Sequence, residues 1–130
     1  MFKNMTGLRE WQLRVPGEPL SVPVDCSRVG GAFRLESIPL YYDIISYGDI
    51  FEADERGDEL VLRRVVKRDN RRNYSYLLSE SACESRELTD LLCAVETIGG
   101  FWERFGIGLL LVSMPADSTY DPTAEVNALP

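Results

Sequence analysis

Polar and apolar residues alternate in three short segments of the first third of the chain. Trp11, Leu13 and Val15 are separated by polar side chains, which is the period-two pattern of a strand with one buried face. The same alternation recurs over residues 20–24 and 33–35, and a Pro-Gly and a Gly-Gly pair lie between the segments. The pattern predicts three consecutive strands joined by turns.

A β-hairpin is predicted over residues 50–66. Its arms, 50–53 and 60–66, flank a polar turn whose glycine and acidic residues suit a tight loop. The second arm has apolar residues on both faces, with Arg63 and Arg64 between them. Either both faces are covered, or a bulge at the arginine pair changes which face points inward, as in a curved, barrel-like sheet.

The only long helix is predicted in the second half of the chain. Ser81 and Glu84 have the spacing of a capping box, which predicts the helix start, and the glycine pair Gly99-Gly100 predicts its end. Its buried stripe follows the i, i+3, i+4, i+7 spacing and consists of Leu88, Leu91, Leu92 and Val95.

Strands are predicted on both sides of this helix. Residues 74–78 alternate like a strand, and residues 101–114 predict one or two strands with a break near Gly106 or Gly108. Asp121-Pro122 has the residue order of a helix start, so a short helix is predicted at the end of the chain.

The order of elements predicts an α+β fold. A curved, barrel-like antiparallel β-sheet occupies the N-terminal half and joins a strand-helix-strand layer with a short C-terminal helix. The chain has 130 residues, of which 45% are hydrophobic, and this suits one domain with enough apolar material for a core. Within that single domain we expect a mostly β subdomain over residues 1–72 and a β-α-β-α subdomain over residues 73–130.

Composition restricts the chemistry. The chain contains no histidine, which excludes Ser-His and Cys-His catalysis and zinc sites that need an imidazole. Its three cysteines, at unrelated spacings, are expected to be free thiols. The first fifteen residues lack the apolar stretch of a signal peptide, and no segment is long enough to span a membrane. We therefore expect a cytoplasmic protein without catalytic residues, metal or cofactor.

The net charge of −7 is unevenly distributed. Residues 1–72 hold 12 acidic and 12 basic side chains, whereas residues 73–130 hold 9 acidic side chains against Arg86 and Arg104. A field of this sign repels nucleic acid and anionic membranes, so neither is expected as a partner of the second half.

Two acidic patches are candidates for binding a protein partner. Tyrosines in the first supply rigid amphipathic anchors of the kind that dominate interfaces. The hairpin patch consists of Tyr41, Tyr42, Asp43, Tyr47, Asp49, Glu52, Asp54, Glu55, Asp58 and Glu59. The helical patch consists of Glu80, Glu84, Glu87 and Asp90. The hairpin turn lacks the ligand spacing of a calcium loop, so no metal is predicted there.

A basic segment offers an alternative function. It holds six cations, followed by two tyrosines that could stack on bases: Arg63, Arg64, Lys67, Arg68, Arg71, Arg72, Tyr74 and Tyr76. Pairing of Arg63, Arg64 or Lys67 with carboxylates on the facing hairpin arm, such as Asp49 or Glu52, would neutralise this segment locally.

Several segments resemble a known bacterial family, the domain of unknown function DUF4265. They are Gly31 to Tyr42, Tyr47 to Ala53, Arg64 to Val66, Met114-Pro115 and Tyr120-Asp121. Ser37 and Leu40 stand where the family more often has Asn and Phe. The resemblance covers roughly residues 10–130. It implies a fold and a bacterial origin, and no catalytic residue.

Three functions follow as hypotheses. The leading one is a bacterial immunity protein that binds and neutralises a basic cognate toxin through an acidic, tyrosine-rich surface. The second is a regulatory or nucleic-acid-binding module that uses the basic segment 63–72. The third is a small enzyme that depends on a pair of carboxylates.

Overall fold

The structure, a computed structural model, describes residues 8–39 and 44–130. The chain divides into two compact units with the boundary between Asn70 and Arg71, and these are called the barrel unit and the helical unit below. No helix in the described part of the chain is long and apolar enough to cross a membrane.

The barrel unit is a closed five-stranded β-barrel. Its strands are β1 (Arg9–Arg14), β2 (Val22–Val29), β3 (Ala32–Leu35), β4 (Ile50–Arg56) and β5 (Glu59–Lys67). Consecutive strands pair antiparallel, and β1 closes the barrel by pairing parallel with β5. The predicted curved sheet and its hairpin are thereby confirmed.

The predicted bulge lies in β5. Glu52 lies opposite Arg64 and Ala53 opposite Leu62, so Arg63 is an extra residue without a strand partner of its own. A bulge reverses the inward and outward alternation of the residues that follow it. Both arginines are consequently exposed, and the next residue, Val65, is half-buried and packs against the barrel core.

Aromatic and aliphatic side chains fill the barrel. The rings of Trp11 and Phe33 meet edge to face with centroids 5.8 Å apart, and Phe33 stacks on Phe51 at the same distance. Burying a side chain of this size stabilises the fold by about 2 kcal/mol. The other buried residues of this core are Leu13, Val15, Val22, Val24, Cys26, Leu35, Ile45, Leu60 and Leu62.

The helical unit combines a three-stranded antiparallel sheet with three helices. Its elements are β6 (Arg72–Leu77), α1 (Glu80–Cys83), α2 (Arg86–Thr97), β7 (Phe101–Phe105), β8 (Leu109–Met114) and α3 (Thr123–Asn127). The strand order is β6-β8-β7. The two strands predicted over residues 101–114 are separated by a turn at Gly106, whose φ is 57°.

The predicted capping box is wrong in its position. Two successive serines each start a helix: the Ser79 hydroxyl accepts a hydrogen bond from the Ala82 N–H, and the Ser85 hydroxyl accepts one from the Leu88 N–H. The segment therefore forms a single turn, α1, followed by a separate long helix. The predicted end is confirmed, because Gly99 adopts φ 92° directly after the helix.

The stripe predicted for the long helix is buried as expected. It packs in one cluster with three residues of β8 and with Val126 of α3: Leu88, Leu91, Leu92, Val95, Leu110, Val112 and Met114. The last helix begins one residue later than the sequence pattern predicts. Pro122 takes the cap position, and the Asp121 carboxylate accepts a hydrogen bond from the Thr123 N–H at 2.9 Å.

Candidate partner-binding surface

The exposed carboxylates of the hairpin patch are paired with arginines of the same barrel. The β4–β5 register brings Arg64 Nε to 2.8 Å from Glu52 Oε1. Arg28 of β2 forms two hydrogen bonds with Glu55, at 2.6 and 3.1 Å. Hydrogen bonding to these arginines lowers the pKa of both glutamates.

The other surface acids of the hairpin also form ion pairs with arginines. Each has an arginine nitrogen within ion-pairing distance: Asp54 with Arg63 at 3.5 Å, Asp58 with Arg9 at 2.8 Å, and Glu59 with Arg14 at 3.1 Å. The predicted neutralisation across the hairpin is thus confirmed for Arg63 and Arg64. The charge of this patch is largely balanced within the barrel.

Asp49 does not lie on the surface, and its assignment to the hairpin patch is corrected here. Its carboxylate is buried and accepts hydrogen bonds from the backbone N–H groups of Ser46 and Asp69, both at 2.9 Å. Arg68 lies 3.6 Å away. A buried carboxylate bound in this way joins two loops and is not available to a partner.

Of the tyrosines in the hairpin patch, the structure describes Tyr47. Tyr41, Tyr42 and Asp43 lie outside the described residues. Tyr47 is half-buried, and the neighbouring Gly48 adopts φ 87° in the turn before β4. Among the described residues of this patch, those at the surface are mainly acids that form ion pairs with arginines.

The helical patch has the opposite character. Glu80, Glu84, Glu87 and Asp90 are all exposed on α1 and α2 or directly between them. None of them forms an ion pair with an arginine or lysine in the described part of the chain. The patch presents uncompensated negative charge to solvent.

An open groove adjoins this patch between α2 and α3. Its volume is about 330 Å³, and it is lined by Glu87, Asp90, Leu91, Glu125, Ala128 and Leu129. Carboxylates form its rim and apolar side chains its floor. The groove, called the acidic groove below, extends the helical patch onto the last helix of the chain.

Glu125 is a groove residue that the sequence reasoning missed. The Tyr120 hydroxyl donates a 2.8 Å hydrogen bond to its carboxylate. Partial burial is the main cause of a raised pKa for this phenol, and the bond to Glu125 adds to it. A residue next to the predicted apolar positions Val126 and Leu129 could have been placed at the edge of that helix's buried face from its spacing alone.

Several arginines of the basic segment serve the fold. The Arg68 side chain donates to the Ile44 carbonyl at 3.1 Å. Arg71 donates to the Ser113 hydroxyl at 2.7 Å and to the carbonyls of Ser113 and Gly99. With Arg63 and Arg64 paired on the hairpin, four of the six cations contact protein groups.

The cysteines and acids show no reactive arrangement in the described part of the chain. All three cysteines are free, and burial raises the pKa of the Cys26 thiol to about 12, so that this thiol stays protonated. No group of three cysteine or carboxylate side chains lies close enough to hold a metal ion among residues 8–39 and 44–130. The acids of the groove are exposed rather than enclosed.

Comparison with known proteins adds a family and a fold. The profile of a family described as "Domain of unknown function (DUF4265)" matches residues 21–127. The crystal structure of a hypothetical protein from Neisseria gonorrhoeae is similar, with a TM-score of 0.58 and 20% identity over 88% of this chain and 81% of that one. At this identity the likeness concerns the fold alone. No curated protein matches the sequence significantly.

Proposed function

The chain belongs to the family of the domain of unknown function DUF4265, and from that premise we propose that it is an immunity protein, which binds a basic bacterial toxin and blocks it. The observation that carries the proposal is the unpaired acidic surface of the helical patch. The partner is a protein with a complementary basic surface.

The charge balance of the helical patch supports this function. Glu87 and Asp90 are three residues apart on α2, and Glu80 and Glu84 form a second like-charged pair. Arg86 is the one basic residue between Glu80 and Asp90. Surface charge that is mainly of one sign accelerates association with a partner of the opposite sign.

The two alternative functions receive less support. A nucleic-acid-binding module would need the arginines of segment 63–72 to be available to phosphates, and Arg63, Arg64 and Arg71 bind groups of the protein itself. A carboxylate-dependent enzyme would need a pair of acids in an enclosed cleft. The acids of the groove face open solvent.

Co-expression with the toxin encoded beside this gene tests the proposal. We expect the chain to restore growth of cells that produce that toxin, and to co-purify with an inactivated form of the toxin. Cells that produce an unrelated toxin serve as the specificity control and should not be protected. Absence of both protection and complex with the neighbouring toxin would refute the proposed function.

Salt dependence provides a second test. If the unpaired acids direct association, the association rate with the inactivated toxin should fall as ionic strength rises from about 0.01 to 0.15 M, because the Debye length shortens from about 30 to 8 Å. Stopped-flow fluorescence measures this rate. A rate independent of salt would contradict a role for surface charge in recognition.

A further inference from the structure

We infer that the acidic groove binds one apolar side chain of the partner, flanked by arginine or lysine residues. This inference rests on the proposed function and goes beyond it, because it names the segment of the toxin that is recognised: a short basic stretch with a single apolar anchor.

The size of the groove suits a side chain. Pockets that hold small molecules have volumes of about 300–1,000 Å³, and at about 330 Å³ the acidic groove lies at the lower end of that range. It is open along the surface between α2 and α3. A groove of this kind can receive a projecting side chain while the backbone of the partner remains outside.

The floor of the groove is apolar. Leu91 is buried beneath it, Leu129 is half-buried against the core of the helical unit, and the small side chain of Ala128 is exposed. Ala128 lines the groove with a short side chain. Burial of an apolar anchor here removes hydrophobic surface of both partners from water.

The rim of the groove is acidic. Glu87, Asp90 and Glu125 form no ion pair with a cation in the described part of the chain. Like-charge repulsion disfavours an acidic ligand, and a neutral one would leave three carboxylates near a newly dehydrated surface. Cationic side chains on both sides of the anchor match this rim, and the methylene stems of arginine and lysine can cover its apolar edge.

Glu125 is held in place for this contact. The Tyr120 hydroxyl donates to its Oε2 atom at 2.8 Å and restrains the side chain. The phenol occupies one carboxylate oxygen, so the other can accept from a guanidinium or ammonium group of the partner. A restrained carboxylate loses less side-chain entropy on binding than a free one.

A peptide probe tests the groove without the toxin. The probe carries a central leucine between two pairs of arginines and a fluorescein label, and its binding is measured by fluorescence anisotropy at low salt. We expect Ala128→Trp, which fills the groove without changing charge, to weaken binding by about tenfold or more. Asn127→Trp adds the same ring to an exposed position of α3 outside the groove and should bind like the unmodified protein.

Two further comparisons separate the floor from the rim. Replacing the central leucine of the probe with serine should weaken binding by about tenfold, since the anchor is lost. Glu125→Gln should weaken it by about fivefold, whereas Glu96→Gln, on the exposed face of α2 outside the groove, should leave it unchanged. Circular dichroism verifies that all variants are folded. Equal binding by Ala128→Trp, or by the serine probe, would overturn the inference, because attraction by charge alone would then explain the affinity.

The neighbouring toxin distinguishes failure of this inference from failure of the proposed function. If the unmodified chain and Ala128→Trp protect cells equally, the groove does not bind the toxin and the inference is overturned, while the immunity function stands. If Ala128→Trp loses protection and Asn127→Trp retains it, both are supported. If the unmodified chain gives no protection although Ala128→Trp and the serine probe both weaken peptide binding, the immunity function fails and the groove remains a binding site for basic segments.

Discussion

The acidic side chains of the barrel unit and those of the helical unit differ in whether they have ion-pair partners. In the barrel, each exposed or half-buried acid of the hairpin from Glu52 to Glu59 pairs with an arginine of a β-strand of the same barrel. On α1 and α2 the acids of the helical patch have no such partner among the described residues. The number of acidic residues therefore does not distinguish the two surfaces, whereas the distribution of their ion-pair partners does.

The difference arises from local geometry. Strand register places Glu52 directly opposite Arg64, so pairing follows from the sheet itself. On a helix the corresponding neighbours are three and four residues away. Four residues after Glu84 and Glu87 come leucines of the buried stripe, so α2 offers these acids no cation at that spacing. The carboxylates of the barrel are thereby paired within the fold, whereas those of the helical patch have no ion-pair partner among the described residues.

The largest effect on stability is expected at Asp49. Asp49→Ala removes the acceptor of two backbone hydrogen bonds and should lower the free energy of unfolding by about 3 kcal/mol. Urea denaturation measures the loss. The matched change Asp90→Ala, on the helical patch, should cost well under 1 kcal/mol, since that carboxylate is exposed on α2. Equal losses at both positions would contradict the division between structural and available acids.

Lowering the pH should remove the stabilisation that the paired glutamates provide. The pKa values of Glu52 and Glu55 lie below the ordinary value of 4.5, so their pairing stabilises the fold fully above that pH. This stabilisation is lost as pH falls through their folded-state pKa values. The double variant Glu52→Gln/Glu55→Gln should be less stable than the unmodified protein at pH 7, and the difference between the two should shrink as the pH falls below 4.5. Urea midpoints measured across this pH range test the expectation.

The matched control for acid is Glu84→Gln/Glu87→Gln on the helical patch. Neither carboxylate has an arginine or lysine partner in the described part of the chain, and only Glu87 lies in the first turn of α2, where negative charge stabilises a helix. This variant should therefore lose less stability at pH 7 than the barrel variant. A drop in its urea midpoint as large as that of the barrel variant would show that the helical acids also stabilise the fold.

The smallest effect is expected at Asp90. Asp90→Asn removes like-charge repulsion with Glu87 and also attraction to Arg86, four residues earlier on α2, so the free energy of unfolding should change by no more than about 0.3 kcal/mol. Repeated urea titrations of both proteins in parallel can resolve a change of this size. A gain in stability accompanied by weaker toxin binding would identify Asp90 as a residue kept for binding at a cost to the fold.

Much of the fold could be predicted from hydrophobic periodicity. The strands of the barrel and the buried stripe of α2 follow from spacing along the sequence. The sequence left two explanations for the apolar residues on both faces of β5, and the structure shows the bulge. The predicted start of the long helix is wrong because Ser79, Ser81 and Ser85 are all suitable N-cap residues. Which of these serines caps a helix depends on where Leu88 packs in the core. Local sequence does not contain that information.

The candidate site was harder to predict because burial and pairing are tertiary properties. Asp49 follows Gly48 in a polar stretch and looks exposed in the sequence, yet two loops fold over its carboxylate. The acidic groove depends on α3 packing beside α2, which brings Glu125 next to residues nearly forty positions earlier. No spacing or periodicity in the sequence indicates that α2 and α3 lie side by side.

Charge reversal in the two patches tests the central claim most directly. One variant carries Glu84→Lys, Glu87→Lys and Asp90→Lys, and its match carries Asp54→Lys, Asp58→Lys and Glu59→Lys. Isothermal titration calorimetry with the inactivated neighbouring toxin measures both. The helical variant should bind about 100-fold or more weakly, and the barrel variant should stay within about fivefold of the unmodified protein. A greater loss in the barrel variant would contradict the claim that the unpaired acids form the binding surface.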